Sequence, residues 1–438
     1  MNQDYTVDNI KHLEIREAIR SRISMYLGSA TTDGIYQALK EIINNSTDEA
    51  LAGFGNRIGI KLDESNNMIE VSDIGRGVPF GIKDGRNVLV AVYTEAHTGG
   101  KFDKDSYKNS SGLNGIGGTA VCMSSEHFTV KSFRNNIVAE AVFEKGNLIS
   151  YNEKSYSDYN KTSGAAAPTS GTIVTFNPDK EVFNEAEEGF SYERICNEVK
   201  NIAYLNKGVH FIVETAAGQS TEFYSENGIA DFIKEKAQYP LMKAPIIATE
   251  KDETDELEIA FIWTAGPAQE YVFVNGLLCP QLGTPATGAK TKITTKIKAL
   301  AGKSFSPDSI RKGLVYAINC KVANPSFSNQ SKNAINNTNL RGLASKAFDK
   351  GLEEFSHTPE FESIIESIAQ FEKAEAAAEK ARLSVLTQNK EIQKELKKKV
   401  ILADKLVDCR KHDENSMLFV VEGEGFALTY FSTYQWGH

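Results

Sequence analysis

The stretch from Ser110 to Val121, SSGLNGIGGTAV, places four glycines just ahead of a run that is typical of a helix. Glycines in such a position allow a turn with positive φ, or they let backbone N–H groups approach a bound anion. The spacing G-x-x-G-x-G-G matches neither the dinucleotide fingerprint nor the P-loop, and no Lys-Ser or Lys-Thr pair follows it. The stretch alone therefore leaves a phosphate-binding loop and a plain glycine-rich turn equally open.

The composition around this stretch is that of an ordinary globular protein. The chain has 438 residues, of which 41% are hydrophobic and 24% are charged, so we expect two or three domains. No long apolar run occurs and the N-terminal residues are charged and polar, so neither a membrane span nor a signal peptide is indicated and a cytoplasmic protein is expected. Five scattered cysteines without a C-x-x-C pair argue against a zinc site or a disulfide framework.

Charge is distributed unevenly along the chain. The formal net charge is −9, yet residues 286–350 contain twelve Lys and Arg against only Asp308 and Asp349. Such a basic segment in an acidic protein suggests a polyanion as partner. A solvated lysine-rich surface is the alternative, and charge alone favours it.

Periodicity predicts an α+β fold rather than a repeated βαβ unit. Residues 31–55 show apolar residues at helical spacing and predict a helix of about five turns that starts at Thr32. Residues 57–79 predict a hairpin with ESNN as its turn and Asp73 at the end of its second strand. The segment after Phe361 lacks Gly and Pro and predicts a long helix. Further strands are predicted in HFTVKSF, IVAEAVFE, GTIVTFNPD, LEIAFIWT, EYVFVNGLL and KGLVYAINCKV.

Two polar clusters stand out near the predicted helix and hairpin. In KEIINNSTDEA, the side chains of Glu41, Asn45 and Asp48 fall on one helix face amid apolar neighbours, where each needs a polar partner. In SDIGRGVP, Asp73 is followed by a G-x-G pattern that lets another group approach the backbone. A structural polar network and a turn capped by aspartate are the alternatives, and each is favoured for a cluster considered alone.

The order of these motifs along the chain is more informative than any single motif. E-x-x-x-N, D-x-G-x-G, the glycine loop and SGTIVTF resemble the GHKL ATPases, and more narrowly the ATPase subunit of type IIA topoisomerases, the gyrase B and topoisomerase IV family. Seven segments resemble that family in the same order: MYLGS, DEALAG, DIGRGVPFGI, GGKFDKDSYKNSSGLNGIGGTAV, SGTIVTF, DSIRKGLVYAINCKVANPSFSNQSKNAINN and LFVVEGEG.

The resemblance implies a domain organisation and a set of partners. Residues 1–215 would form a GHKL (Bergerat) ATPase α/β sandwich with an N-terminal dimerisation arm, and residues 216–385 a ribosomal-protein-S5-like transducer domain. Residues 386–438 would be a connector and an incomplete TOPRIM start. The implied cofactors are ATP and Mg²⁺. The implied partners are double-stranded DNA, a second copy of the chain and a breakage-reunion subunit similar to gyrase A or topoisomerase IV A, with no membrane.

The resemblance also implies roles for the two polar clusters. Glu41 would be the general base that orients and deprotonates water for attack on the γ-phosphate, and Asn45 would ligate Mg²⁺. Asp73 would accept a hydrogen bond from the adenine amino group, and Thr172 would support that contact through a water.

The remaining implied site residues come from several segments. Arg76 would pair with Glu49 and brace the site, Gln330 and Lys332 would touch the γ-phosphate from the second domain, and Tyr5 lies in the arm that crosses to the partner. The residues implied to line the nucleotide pocket are Gly77, Lys101, Tyr107, Gly112, Leu113, Asn114, Gly115, Ile116 and Gly117.

The sequence departs from the family pattern at three places. Asn114 stands where His is usual and Ser331 where Thr is usual. After Glu422 the sequence leaves the usual TOPRIM pattern, and it ends sixteen residues later. We therefore expect no DNA cleavage by this chain alone, whether it is truncated, a split subunit or an atypical relative, with a phage as one candidate source. A GHKL clamp or chaperone-like ATPase and a nucleotide-binding module without turnover are the competing hypotheses.

Overall fold

The computed structural model describes residues 13–96, 98, 115–163, 168–328 and 332–398. Several predicted site residues lie outside the described residues: Tyr5, Lys101, Tyr107, Gly112, Leu113, Asn114, Gln330, Ser331 and Glu422. By its internal contacts the chain divides into one compact unit, Met1–Glu372, and a second unit, Lys373–His438.

The described part of the chain contains both helices and strands, often several of one kind in succession. The helices are α1 (Ile15–Ser21), α2 (Ser24–Leu27), α3 (Thr32–Leu51), α4 (Val88–Thr94), α5 (Gly117–Met123), α6 (Tyr156–Ser163), α7 (Tyr192–Leu205), α8 (Ile229–Lys236), α9 (Thr284–Ala301), α10 (Pro307–Arg311), α11 (Asn339–Ser356) and α12 (Phe361–Lys398). The strands are β1 (Arg57–Asp63), β2 (Met68–Asp73), β3 (Ile82–Lys83), β4 (Arg86–Asn87), β5 (Ser125–Arg134), β6 (Ile137–Glu144), β7 (Asn147–Ser155), β8 (Gly171–Pro178), β9 (His210–Thr215), β10 (Ser220–Phe223), β11 (Ile246–Lys251), β12 (Glu256–Trp263), β13 (Gln269–Val274), β14 (Leu277–Leu278) and β15 (Leu314–Lys321).

The first sheet has eight strands in the order β10-β9-β1-β2-β8-β5-β6-β7. All neighbours are antiparallel except β1 and β9, which run parallel. The predicted hairpin is confirmed, since β1 and β2 pair with Ile58 opposite Asp73. Its turn is stabilised by the Asp63 carboxylate, which accepts hydrogen bonds from the backbone N–H groups of Ser65 and Asn66.

Helix α3 supplies the polar cluster and much of the core beneath the first sheet. The predicted start at Thr32 is confirmed, and the helix runs for 20 residues. Apolar side chains at helical spacing, including Leu39 and Ile43, are fully buried, which places α3 against strands β1, β2 and β8. This packing orients the adjoining polar residues of α3 toward the ends of β2 and α5.

The second sheet has five strands in the order β11-β12-β15-β13-β14, with β13 and β15 parallel. Helices α9 and α11 pack on each other and on this sheet around a separate hydrophobic core. The three predicted strand segments in this region and the α+β class are confirmed. Strand β10 extends the first sheet to Phe223, so the division near residue 216 would separate β10 from its partner β9. The predicted boundary near residue 216 stays a prediction.

The long helix that the sequence predicts is α12, which spans 38 residues. Glu372 on this helix accepts a hydrogen bond of 2.9 Å from the backbone N–H of Ser306. Within the described part of the chain, no helix combines the length and the apolar character that a membrane crossing needs.

Candidate functional site

The polar face of α3 meets the start of α5. A Cβ atom built on Gly117 would lie only 2.3 Å from Oε2 of Glu41, and one on Gly118 would lie 3.9 Å from Nδ2 of Asn45. Gly117 is therefore glycine because the Glu41 carboxylate occupies the space of a side chain. Glu41 and Asn45, one helical turn apart, both face the first turn of α5.

One oxygen of the Glu41 carboxylate is held by a neighbour on the same helix. Nε2 of Gln37 donates a hydrogen bond of 3.0 Å to Oε1 of Glu41. This bond fixes the carboxylate while Oε2 points toward Gly117. Gln37 was not among the predicted site residues, although its position one turn before Glu41 is a detectable signal.

Asp73 ends β2 as a buried carboxylate that is only 6% exposed. Its Oδ1 accepts hydrogen bonds from the backbone N–H groups of Gly75, at 2.9 Å, and Thr172, at 3.2 Å. Its Oδ2 accepts a bond of 2.9 Å from the Ser46 hydroxyl. Burial raises the pKa of Asp73 to about 6, although these hydrogen bonds oppose the shift. Thr172 thus contacts Asp73 directly through its main chain, and its water-mediated role stays a prediction.

The backbone after Asp73 packs closely on two strands of the first sheet. Gly77 has φ +76°, and a Cβ there would lie 2.8 Å from the carbonyl oxygen of Phe133 and 2.9 Å from that of Gly171. A Cβ on Gly171 would lie 2.0 Å from the carbonyl oxygen of Asp73. Glycine is required at both positions, because any side chain would separate this segment from β5 and β8.

The predicted pair between Glu49 and Arg76 is confirmed. The guanidinium of Arg76 bonds both carboxylate oxygens of Glu49, at 3.0 and 2.9 Å, and the Arg76 backbone N–H adds a bond of 3.2 Å. The guanidinium also lies 3.9 Å from the centre of the Phe54 ring. This two-pronged contact braces the end of α3 against the segment that follows Asp73.

The described end of the glycine loop leads directly into α5. Gly115 has φ +56°, so the loop contains the left-handed residue that its glycines allow. The carbonyl oxygen of Ile116 accepts a hydrogen bond of 2.8 Å from the backbone N–H of Ala120 and so begins the helix. Contact of Gly115, Ile116 and Gly117 with a triphosphate stays a prediction.

Lys332 lies beside the second sheet. Its neighbour Asn333 accepts a hydrogen bond of 2.9 Å from the backbone N–H of Gln281. Burial raises the pKa of the Cys279 thiol to about 11, and the nearby positive charge of Lys332 opposes that shift. These contacts place Lys332 on the segment beside β14, and its predicted approach to the γ-phosphate stays a prediction.

Several lysines of the basic segment are neutralised locally. Their ammonium groups form ion pairs with carboxylates of β13 and α11 at distances between 2.6 and 3.5 Å. The pairs are Lys290 with Glu270, Lys292 with Asp349, and Lys296 with both Asp349 and Glu353.

The donor set beside α5 suits a cation that arrives with other ligands. Among the described residues, no group of three or more His, Cys, Asp or Glu could hold a metal ion. Glu41 and Asn45 offer one carboxylate and one amide in the same space. Mg²⁺ commonly binds through few protein oxygens together with waters and substrate phosphates, so the amide oxygen of Asn45 fits magnesium carried with a phosphate compound.

Comparison with known proteins gives two family matches that divide the chain. Residues 30–181 match the model of histidine kinase-, DNA gyrase B-, and HSP90-like ATPases. Residues 228–384 match the model of DNA gyrase B.

Individual relatives agree with both matches. The DNA gyrase B protein of Thermotoga maritima is 32% identical over 96% of this chain and 67% of its own length. The gyrase B protein of Synechocystis is 32% identical over 96% of this chain, which spans only 40% of that relative. The 43K ATPase domain of Thermus thermophilus gyrase B, solved with an aminocoumarin, superposes with a TM-score of 0.69 at 25% identity and covers 84% of this chain and 98% of its own. The topoisomerase IV ATP-binding domain of Francisella tularensis gives 0.64 at 25% identity, covering 82% and 97%.

Proposed function

The chain belongs to the DNA gyrase B family, and on that premise we propose that it is the ATP-hydrolysing gate of a type IIA DNA topoisomerase. ATP-driven dimerisation captures a DNA duplex for strand passage, and hydrolysis resets the gate. The observation that carries the proposal is the Glu41 carboxylate, which Gln37 holds against the glycine start of α5. The match of residues 228–384 to the DNA gyrase B model favours this function over a clamp that is not coupled to DNA cleavage.

In this proposal Glu41 acts as the general base. Its Oε1 is occupied by the Gln37 amide, so Oε2 accepts the proton of the water that attacks the γ-phosphorus. The water oxygen bonds to phosphorus as the bond to the ADP oxygen breaks. The fixed hydrogen bond lowers the cost of orienting the base, since its carboxylate is already held before water is bound.

Asn45 and Asp73 divide the recognition of the nucleotide between them. Asn45, one helical turn beyond the base, would hold Mg²⁺ through its amide oxygen. Bound Mg²⁺ neutralises phosphate charge. Asp73 presents Oδ2, which accepts one bond from Ser46 and keeps a lone pair for the adenine amino group. The pair of Glu49 and Arg76 holds the wall of this pocket in place.

The partners follow from the family. The gate works as a homodimer joined through the arm that contains Tyr5, together with a breakage-reunion subunit or region. DNA contacts the second domain through exposed cations of α11, namely Arg341, Lys346 and Lys350. We prefer these residues to Lys290, Lys292 and Lys296 because those three already pair with carboxylates.

The test is the substitution Glu41→Gln, compared with Glu64→Gln in the exposed turn between β1 and β2. Steady-state turnover should fall on the order of 10²- to 10⁴-fold in Glu41→Gln, because the base is lost while its shape is kept. Binding of a non-hydrolysable ATP analogue and analogue-dependent dimerisation should persist in both variants. Normal turnover in Glu41→Gln would remove this residue from the mechanism.

A further inference from the structure

A polar contact joins helix α7, which packs on the first sheet, to helix α8, which packs on the second sheet. Helix α7 packs on β9, and helix α8 packs on β12 and β15. The hydroxyl of Tyr204 on α7 donates a hydrogen bond to Oε2 of Glu235 on α8, and Nζ of Lys200 lies 2.7 Å from the same oxygen. We call these three residues the α7–α8 clasp.

The clasp holds a charged group rather than a neutral one. Glu235 is 37% exposed, and its partial burial would by itself raise the pKa of the carboxyl. The bonds from Lys200 and Tyr204, together with the charges of Lys200 and Lys236, outweigh burial and hold the pKa of Glu235 below its usual range. The carboxylate therefore stays ionised at neutral pH, and both of its bonds to α7 are charge-assisted.

An aromatic cluster continues from the clasp into the second sheet. The ring of Phe232 on α8 meets the ring of Tyr204 edge-on, with 5.9 Å between centres. On its other side Phe232 meets Tyr271 at 4.9 Å and Phe273 at 5.4 Å, both on β13. Movement of α7 relative to α8 is thus transmitted to β13, because close-packed rings shift together rather than deform.

The β13–β14 hairpin in turn anchors the segment that carries Lys332. Directly after β14, the backbone N–H of Gln281 bonds the carbonyl oxygen of Asn333 at 2.9 Å. Gly283 lies so close to Ile335 that a Cβ on the glycine would sit 2.2 Å from the Ile335 carbonyl oxygen. Residues 333–335 therefore follow any displacement of the hairpin.

We propose that Glu235 is a positioning residue for Lys332, acting through Phe232, β13 and the β13–β14 hairpin to set where that lysine stands relative to the first sheet. This inference rests on the proposed function, in which Lys332 reaches the γ-phosphate. The clasp is where α7, on the first sheet, meets α8, on the second, so its bonds bias the relative placement of the two sheets. Lys207 and Glu258 add a second ion pair between them at 3.3 Å.

The experiment is a double-mutant cycle on the full chain. Glu235→Gln and Tyr204→Phe are each made alone and together with Lys332→Ala, and kcat and KM for ATP are measured. We expect each single clasp variant to lower kcat about two- to fivefold with little change in KM, which is the upper part of the range that exposed ion pairs and hydrogen bonds contribute. When Lys332→Ala is already present, the clasp substitutions should lower kcat no further, because the lysine that the clasp positions has been removed.

The control is Glu222→Gln, which removes a carboxylate from an exposed hydrogen bond with His210 inside the first sheet. It should leave kcat unchanged in both backgrounds. Equal loss from Glu235→Gln with and without Lys332 would overturn the positioning role while leaving the proposed function intact. Normal turnover of Lys332→Ala alone would refute the role proposed for Lys332, and the inference with it.

A second measurement does not depend on turnover. With a non-hydrolysable analogue bound, hydrogen–deuterium exchange of residues 332–338 should be faster in Glu235→Gln than in the unaltered chain, and exchange in β1 should be equal in the two. Unchanged exchange in residues 332–338 would also overturn the proposal.

Discussion

Asp73→Asn is expected to stabilise the folded protein at neutral pH while it weakens nucleotide binding. The carboxylate is 6% exposed, and Oδ1 accepts backbone bonds from Gly75 and Thr172. An asparagine oxygen can accept the same two bonds. The amide nitrogen then faces Ser46, whose hydroxyl can rotate to accept instead of donate. The substitution therefore removes a buried charge and keeps the hydrogen-bond framework.

The magnitude follows from the pKa of this group. The folded-state pKa of about 6 lies roughly 2 units above the ordinary value of 3.8, and each unit corresponds to about 1.4 kcal/mol. Because the folded pKa is raised, the stabilising contribution of protonated Asp73 is complete below pH 3.8 and is lost as the pH rises through about 6. Relative to the unaltered chain, Asp73→Asn should gain up to about 3 kcal/mol between pH 4 and pH 7.5.

The assay is urea unfolding of both proteins, followed by circular dichroism, at pH 4, 5, 6 and 7.5. Other titrating groups are shared by the two proteins and cancel in the difference. Asp179→Asn is the matched control of opposite sign. Burial raises the pKa of Asp179, but the bond and charge of Arg20, the backbone N–H of Glu181 and the charge of Lys145 together hold this pKa below its usual range. Its contribution is present above pH 3.8 and is lost as the pH falls. A stability difference for Asp73→Asn that does not change with pH would refute the reasoning.

Nucleotide binding gives the other half of the prediction. In Asp73→Asn the pocket offers an N–H group where the adenine amino group needs an acceptor, so two donors would face each other. Analogue affinity should fall about 10- to 100-fold, the usual cost of an unpaired buried polar group. Unchanged affinity would mean that Asp73 does not contact adenine.

Other substitutions test the remaining features of the site and the basic segment. Gly117→Ala should lower turnover at least about tenfold, because its Cβ would lie 2.3 Å from Oε2 of Glu41. Gly118→Ala should cost less in the same ATPase assay, because its Cβ would lie 3.3 Å from the Tyr93 ring and 3.9 Å from Nδ2 of Asn45. Gln37→Ala should reduce kcat several-fold, which is less than the loss expected for Glu41→Gln. A normal kcat would show that Glu41 does not need the hydrogen bond from Gln37. Two sets of substitutions to Gln compare the basic residues as DNA contacts: Lys290, Lys292, Lys296 and Lys298 in one, and Arg341, Lys346 and Lys350 in the other. The first set should weaken DNA binding less, because three of its four lysines are ion-paired. Binding isotherms at several salt concentrations test this, since each lost phosphate contact reduces the salt slope by about one unit. Removing residues 1–12 should abolish analogue-dependent dimerisation in sedimentation, whereas dimerisation that survives would count against the arm that contains Tyr5.

Much of the first sheet and of its site could be predicted because the signals are local. The spacing of Leu39 and Ile43 predicts the buried face of α3, and residues 57–73 alternate as the two strands of a hairpin must. Glu41 and Asn45 share a helix face for the same reason. The ordered motifs also predicted the family, and the comparisons confirm that prediction.

Other features were decided by contacts between residues far apart in the chain. The sequence predicted the pair of Glu49 and Arg76 only through the family resemblance, and it missed both the clasp of Tyr204 with Glu235 and the ion pair of Lys296 with Glu353. It also predicted a division near residue 216, although β10 continues the first sheet beyond that point. Periodicity reports only on neighbours within a few positions, whereas these pairs exist because separate elements pack together.

The electrostatics of the site depend on tertiary structure most directly. The residues around Asp73 in the sequence predict an acidic side chain at the end of a strand. The raised pKa of Asp73 comes from burial of its carboxyl group, which contacts Ser46 of α3 and Thr172 of β8. The sequence by itself determined which polar groups are available and on which helix face or strand end they stand. Only the folded structure decided how far each is removed from water and which partners it meets, because desolvation and charge pairing depend on distances in space and not on distances along the chain.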